Sequence, residues 1–513
     1  MQQNSKVKNI KTEKILKTPH KICFFQKSRY NKIMKKLNFT NPYSNLPPDF
    51  YTKMDAERFA QKPFLIHANI EAAKNLDLTK EDFSDENFAK YFSGNKNLEN
   101  SEPLAMAYSG HQFGVFAGRL GDGRALLLGQ VENEKNELWD VVLKGSGKTP
   151  YSRFGDGRAV LRSCIREYLC SQALVGLDIS TTQALCIIGT DEFALREKLE
   201  PAAILTRLAK SHIRFGHFEH FFYLEQFENL KILADYVIKN HFSDISLSDE
   251  KCYEKMLEKV TMLTAKLIAK WQATGFCHGV MNTDNMSIIG DTIDFGPFGF
   301  LEKFDQDFVC NHSDTAARYS YNKQPTIALW NLHALAYALS PLIDFEDSKK
   351  ILKNFEIILQ KEYKKLISKK LGLQNSMPEN DQLISELLQI LDEEKPDYTL
   401  CFRYLSDVFE NEEKWLSLFD NQQKAKNWLK NYKLKIENTQ NFQAEMKQNN
   451  PKFILRNWVA ELCIREAQDK KNYKMIDDVL KILQNPFGEH LEFEHFSNPA
   501  PEAFQDLCVS CSS

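Results

Sequence analysis

The chain has 513 residues, 43% hydrophobic and 26% charged, with a net charge of −3 at pH 7. That is the composition of an ordinary globular protein of roughly two to four folding units, and it excludes a whole-protein field drawing the chain to nucleic acid or membrane. No apolar run approaches the ~18 residues of a membrane span, and eleven scattered cysteines without paired C-x-x-C motifs exclude a small disulfide scaffold and a four-thiolate zinc site.

Residues 1–36 are Lys-rich, carry one acidic residue, Glu13, and lack the apolar stretch of a secretion signal. They read as a disordered basic tail or as residues ahead of a true start at Met34. A mitochondrial presequence is a third reading, although presequences favour Arg and Ser over Lys; otherwise a cytoplasmic location is expected. From Pro42 to about residue 100 the pattern is loops and short helices. GRALLLGQV (123–131) and ELWDVVLKG (137–145) read as strands joined by the polar turn ENEKN. Residues 158–177 read as a helix, with Asp156-Gly157 as its start signal, and short elements follow to about 222.

From about 223 the pattern turns helical. The segment from Ser246 opens with a Ser/Asp cap and closes at Gly275. HGVMNTDNMSIIGDTIDFGPFGF, from His278, reads as loop, strand, tight turn, strand and loop. The remainder to about 490 is helix-rich and low in glycine. The expected fold is α+β, a protein-kinase-like bilobal arrangement, on analogy of layout. It divides into an N-lobe (37–222), a C-lobe (223–340) and a helical extension (341–513) ending in cysteines.

The chemistry concentrates at the junction. A protein kinase carries H-R-D-x-x-x-x-N followed by D-F-G. Here His278 begins the loop, Asn285 falls at the offset of the metal-binding Asn, and Asp294-Phe295-Gly296 is a literal D-F-G. Gly290-Asp291 reads as a two-residue hairpin turn that would set Asn285 and Asp294 side by side as Mg²⁺ ligands. The kinase base falls at Val280, which takes no proton, and Asp284 is the nearest carboxylate that would replace it. Lys144 lies at a strand end, where it would neutralise phosphate charge and pair with a helix glutamate. Glu167 is the candidate, on a stripe with Val160, Cys164, Ser171 and Leu174. Gly118, Gly121 and Gly123 precede a strand and would let backbone N–H groups approach phosphates. Asp156-Gly157 forms a second glycine-rich stretch. Arg207 and Arg214 are phosphate clamps by type, although spacing alone does not say whether they face the same way.

Four long segments carry a family resemblance: AMAYSGHQFGVFAGRLGDGRALLLGQV, WDVVLKGSGKTPYSRFGDGRAVLRSCIREYL, LTRLAKSHIRFGHFEHF and HGVMNTDNMSIIGDTIDFGPFGF. From about Phe39 to its last residue the chain resembles the selenoprotein O family. The resemblance implies a kinase fold without the usual base, binding ATP inverted so that AMP passes to Ser, Thr or Tyr of proteins, with UMP from UTP as a variant. It implies nucleotide contacts from Gly121, Gly123, Arg124, Lys144, Asp156, Gly157, Arg207, Arg214 and Asp294. It makes Asp284 the proton acceptor, and Asn285 and Asp294 the ligands of Mg²⁺ or Mn²⁺. The tail C-V-S-C fits the family's redox position, so Cys511 is expected to pair reversibly with Cys508 or Cys310. A monomer is expected, with no nucleic-acid or membrane partner. The rival readings are a protein kinase and a non-catalytic nucleotide-binding redox scaffold.

Overall fold

Apolar β-formers dominate the front of the chain, and in the computed structural model they build one mixed-length antiparallel sheet. The structure describes residues 36–373, 379–436, 441–504, 507 and 509. Short strands come first: β1 (Tyr51–Lys53), β2 (Phe64–Ala68) and β3 (Leu104–Met106). A separate hairpin, β4 (Gly110–Gln112) and β5 (Val115–Ala117), follows. Next are β6 (Ala125–Glu132), β7 (Leu138–Lys144), β8 (Ala159–Val160), β9 (Gln183–Leu195) and β10 (Leu199–Ala209). The sheet runs β1-β3-β6-β7-β10-β9-β2, with β8 on β10.

The hairpin expected around 132–136 is present, and Asn133 makes its turn by accepting from the amides of Lys135 (3.0 Å) and Glu137 (2.9 Å). Strands β6 and β7 are buried on both faces, so their sequences are mostly apolar without alternation, and the buried Gln130 donates to the buried Asp140 at 2.7 Å. One face packs on Phe88 and Phe92, the other on helix α1 (Leu161–Gly176). Helix α1 begins later than residue 158 because Ala159 and Val160 pair with β10. Asp156 does not cap it; its carboxylate accepts from the Arg158 amide at 3.0 Å. The expected stripe Val160, Cys164, Glu167, Ser171 and Leu174 is buried throughout.

The region expected to hold short elements after α1 instead holds the two longest strands, β9 of 13 residues and β10 of 11. Their outer ends leave the sheet and expose Phe193, Leu195 and Leu199 around a charged tip, which breaks the apolar pattern that signals a long strand.

Helices begin at Phe215, earlier than the pattern change at 223. They are α2 (Phe215–Tyr223), α3 (Phe227–His241), α4 (Cys252–Thr274) and, further on, α5 (Gln324–Ala338). Gly275 closes α4 in the left-handed conformation, φ 72°. The Ser/Asp cap is not made: Lys251 is the capping residue, and Asp249 instead accepts from its amide at 2.8 Å. The loop from His278 is pinned at its ends by β11 (Phe276–Cys277) and β12 (Gly299–Phe300), which pair. Within it, the expected two-residue hairpin is replaced by a reversal at Ser287–Gly290 closed by one bridge, Met286 to Thr292. Neighbouring backbone takes the remaining groups: Thr292 N donates to Ser180 O (2.8 Å) and Ile288 N to Ile213 O (3.1 Å).

Helices between Asn354 and Asn449 share a second core around Trp415, Trp428 and Tyr432, which also takes in Cys277 and Leu301. Helices α6 (Asn457–Lys470) and α7 (Lys474–Gln484) then return to cover α1. Among the described residues no helix is long and apolar enough to cross a membrane. The α1–α7 contact is closest at Gly176, where an added Cβ would fall 2.0 Å from the Leu483 carbonyl oxygen. Gly176→Ala should therefore force the two helices apart and destabilise the protein by about 1–3 kcal/mol. A denaturation midpoint lower than that of the unmodified chain checks this; an unchanged midpoint would show that the contact gives way freely.

Candidate nucleotide and metal site

Strand ends and one loop bring three cations onto two carboxylates. Lys144 ends β7 opposite Ala125 and Leu205, and its ammonium pairs with Glu167 on α1. Arg207, on β10, donates to Glu167 Oε1 (3.2 Å) and to Asp294 Oδ1 (2.5 Å). Arg214 donates to the other Asp294 oxygen and to the Asp284 carbonyl (2.6 Å). All but Asp294 are buried; the Asp294 side chain is 22% exposed and opens to the cavity. Burial opposes ionisation of Asp294, but Arg214, Arg207 and Lys144 outweigh it and hold the carboxyl well below its usual range. Glu167 is lowered against burial in the same way, by Lys144 and Arg207, while burial depresses the Lys144 ammonium.

Asp294 sits in a left-handed backbone conformation (φ 53°) that ordinary residues rarely adopt. The residues around it hold it there. His278 Nε2 donates to the Ile293 carbonyl at 2.8 Å, and the Gly296 amide to the Asp294 carbonyl at 3.0 Å. On the loop from His278, Asn285 Nδ2 donates to Val280 O at 3.0 Å. Asp284 accepts from Gln112 Nε2 at 3.2 Å through Oδ2, while its Oδ1 is buried and has no hydrogen-bond partner among the described residues.

These groups face a cavity of about 800 Å³, within the range of small-ligand sites. Gly121, Gly123, Arg124, Lys144, Asp156, Gly157, Arg207, Arg214, Asp284, Asn285 and Asp294 all line it, and Glu167 lies behind Lys144. Gly118 does not line it. The glycines also serve packing. A Cβ at Gly121 would strike the Tyr151 ring (2.5 Å), and one at Gly157 the Gly147 carbonyl (2.0 Å). Asp156 is held by Arg196 at 2.8 Å and 3.1 Å, a residue the sequence reading passed over. Gln112 was also missed, although it lies in one of the segments that carry the family resemblance. Cys310 lies apart, buried, its thiol 3.4 Å from the Cys277 carbonyl oxygen. Cys508 and Cys511 lie outside the described residues.

The cluster holds three cations against two carboxylates, and Nε of both Arg207 and Arg214 is buried without a partner among the described residues. A buried surplus of positive charge with unused donors is what a polyphosphate would complete. The amide and carboxylate oxygens of Asn285 and Asp294 are hard donors suited to Mg²⁺ or Mn²⁺. Among the described residues no group of three or more His, Cys, Asp or Glu is placed to hold a metal, so the remaining ligands would come from phosphate and water.

Residues 33–484 match the family model described as "Protein adenylyltransferase SelO". A curated protein of Photobacterium profundum, called protein nucleotidyltransferase YdiU, is 46% identical over 94% of this chain and 100% of its own length. Proteins of the same name from Vibrio parahaemolyticus (43% identical, 94% of this chain, 100% of the relative) and Herminiimonas arsenicoxydans (41%, 96% and 99%) match likewise.

Asp294→Asn should leave two buried guanidinium groups short of a counter-charge. The nucleotide-free variant is expected to lose about 3–5 kcal/mol, and inorganic tripolyphosphate should restore more of its melting temperature than it adds to the unmodified chain. Equal stabilisation of both proteins would mean that phosphate does not take the place of the carboxylate.

Proposed function

The chain belongs to the SelO family, and from that premise we propose that it is a protein adenylyltransferase that moves AMP from ATP onto Ser, Thr or Tyr hydroxyls of protein acceptors, with UMP from UTP as a variant. One observation carries the reading: a single cavity contains both a surplus of buried cations with free donors and a buried carboxylate oxygen with no partner. The first suits a polyphosphate, the second a proton acceptor.

In this reaction the acceptor oxygen attacks the α-phosphorus. The new O–P bond replaces the bond to the bridging oxygen, and pyrophosphate leaves with that electron pair. The hydroxyl proton passes to Oδ1 of Asp284, whose Oδ2 is steadied by Gln112. Burial, opposed by Arg214, raises the Asp284 carboxyl to about 6, near the range that favours proton transfer at neutral pH. Lys144, Arg207 and Arg214 neutralise phosphate charge, which is the main demand of phosphoryl-type transfer. Phosphate oxygens compete with Asp294 for the two guanidinium groups and so free its carboxylate. Asn285 and Asp294 are the residues that would hold Mg²⁺ or Mn²⁺, which when bound adds positive charge at the phosphate oxygens.

The nucleotide end of this scheme belongs to the sheet-bearing N-lobe and the acid–base end to the helical C-lobe. The helical extension braces α1. A redox role for the tail has support of one kind: the Val509 carbonyl accepts from the His312 amide at 2.8 Å, which puts Val509 beside the segment bearing Cys310. On this reading Cys511 exchanges with Cys508 or Cys310, and the enzyme works in the cytoplasm as a monomer.

ATP labelled at the α- or the γ-phosphate tests the proposal. Label should reach a protein acceptor from the α-position only, and Asp284→Asn should cut transfer by about 10²–10⁴-fold while ATP still binds. Label arriving from the γ-position alone would make the protein a kinase, and binding without transfer would make it a scaffold.

A further inference from the structure

The hairpin β4–β5 leaves the sheet and lies on the catalytic loop. The His111 amide donates to Thr283 Oγ1 (2.7 Å), and the Phe113 amide to Asn282 Oδ1 (3.1 Å) and to the Tyr319 hydroxyl (3.0 Å). Phe113 (φ 51°) and Gly114 (φ 84°) form its two-residue turn. That turn needs left-handed backbone at both positions, and its second residue also needs space. A Cβ at Gly114 would fall 3.2 Å from Arg318 Cζ, so the Arg318 guanidinium rests against the turn.

The Arg318 charge is met by aromatic rings and the Tyr319 side chain rather than by a carboxylate. Its guanidinium lies over the rings of Trp330 (5.1 Å) and Tyr319 (5.8 Å). Among the described residues no carboxylate lies within 4.0 Å of it, and its Nε is buried without a hydrogen-bond partner. The nearby acids are committed elsewhere. Asp314 accepts from the backbone amides of Arg318 (3.0 Å) and Tyr319 (2.7 Å), and Glu219 is paired with His111 and Thr283. Arg318 also does not line the nucleotide cavity, so the nucleotide does not account for it. Around it Phe113, Val115, Tyr223 and Trp330 remain exposed, with Val115 at 72%. This aromatic shelf is continuous with the proton acceptor: Gln112 touches Asp284, Gly114 touches Arg318, and the two are separated by one residue.

We propose that this shelf docks the acceptor polypeptide, and that Arg318 selects an acidic side chain close to the hydroxyl that is modified. The inference rests on the nucleotidyl-transfer reading and adds a substrate class to it. A guanidinium stacked on an indole and lacking a counter-ion is preorganised for a bidentate carboxylate. Gln112, which donates to Asp284, and Gly114, which lies against Arg318, are two positions apart in the hairpin, at most about 7 Å between their Cα atoms, so one short segment of acceptor chain would meet both. The exposed rings would cover the apolar parts of the same segment, as rigid aromatic anchors do at other interfaces.

The test uses the full-length protein, α-labelled ATP and two sets of synthetic Ser, Thr and Tyr peptides. One set carries Asp or Glu, the other Lys or Arg, at each of the positions flanking the hydroxyl. The unmodified enzyme should use acidic peptides with a kcat/KM about 10–100-fold above the basic set, the worth of one charged hydrogen-bonded contact. Arg318→Glu should invert that order by raising the KM for acidic peptides, and Arg318→Lys should restore part of it. ATP affinity should stay as it is in both variants, which also shows that they fold. Equal use of the two sets, an order unchanged in Arg318→Glu, or label reaching denatured protein but no peptide would each overturn the proposal. Absence of α-label from every acceptor would count against nucleotidyl transfer itself.

Discussion

Between a strand end, a helix and the D-F-G loop, Lys144, Glu167, Arg207, Asp294 and Arg214 form one alternating chain of charge. Taking such ions out of water costs several kcal/mol each, and removing any one leaves its neighbour uncompensated. Their order therefore constrains everything around them. The β6–β7 hairpin sets the height of Lys144, α1 turns Glu167 inward, β10 presents Arg207, and the left-handed backbone at Asp294 aims its carboxylate back at the arginines. Within these ion pairs the cations outnumber the carboxylates by one, and the buried carboxylates of Asp122 and Asp284 act on Arg214 from the side.

The same ions tie the two halves of the molecule together. Asp294 comes from the helical half and Arg207 from the sheet. Gln112 and Asp284 make a second bridge at the mouth of the cavity. A third runs behind it, where Arg166 on α1 donates to Phe298 O (3.0 Å) and Asn457 Oδ1 (3.2 Å). Helices α6 and α7 press α1 from outside, and His67 links Tyr168 to Asp477, with both contacts at 2.7 Å. Part of the C-terminal extension thus works as a brace on the helix that carries Glu167. Direct contacts therefore join the charged cluster of the cleft to α1 and the helices that brace it.

Much of this was legible before any coordinates. Lys144 stood at the end of an apolar strand, Glu167 on a mostly apolar stripe, and Asn285 at the kinase offset from His278 ahead of a literal D-F-G, because burial and hydrogen bonding leave local patterns. The misses have physical causes too. Strands β9 and β10 run out of the core into solvent, so their outer halves lose the apolar signal. The Met286–Thr292 turn gives its hydrogen bonds to Ser180 and Ile213, distant in sequence, and so is not the tight hairpin that Gly290-Asp291 suggested. The β4–β5 turn uses Phe-Gly where Asn-Gly is the usual signal, which hid the hairpin and with it Gln112. The C-terminal helices carry no motif because they pack, α6 and α7 against α1 and the preceding helices around a second core.

The central claim is that the buried cations exist to receive a triphosphate. Comparing the equilibrium binding of ATP with that of adenosine, in the unmodified chain and in Lys144→Ala and Arg214→Ala, tests it most directly. The account predicts that ATP binds far more tightly than adenosine, that each substitution weakens ATP by at least about tenfold, and that neither alters adenosine. Adenosine binding as tightly as ATP, or ATP affinity indifferent to both substitutions, would contradict it.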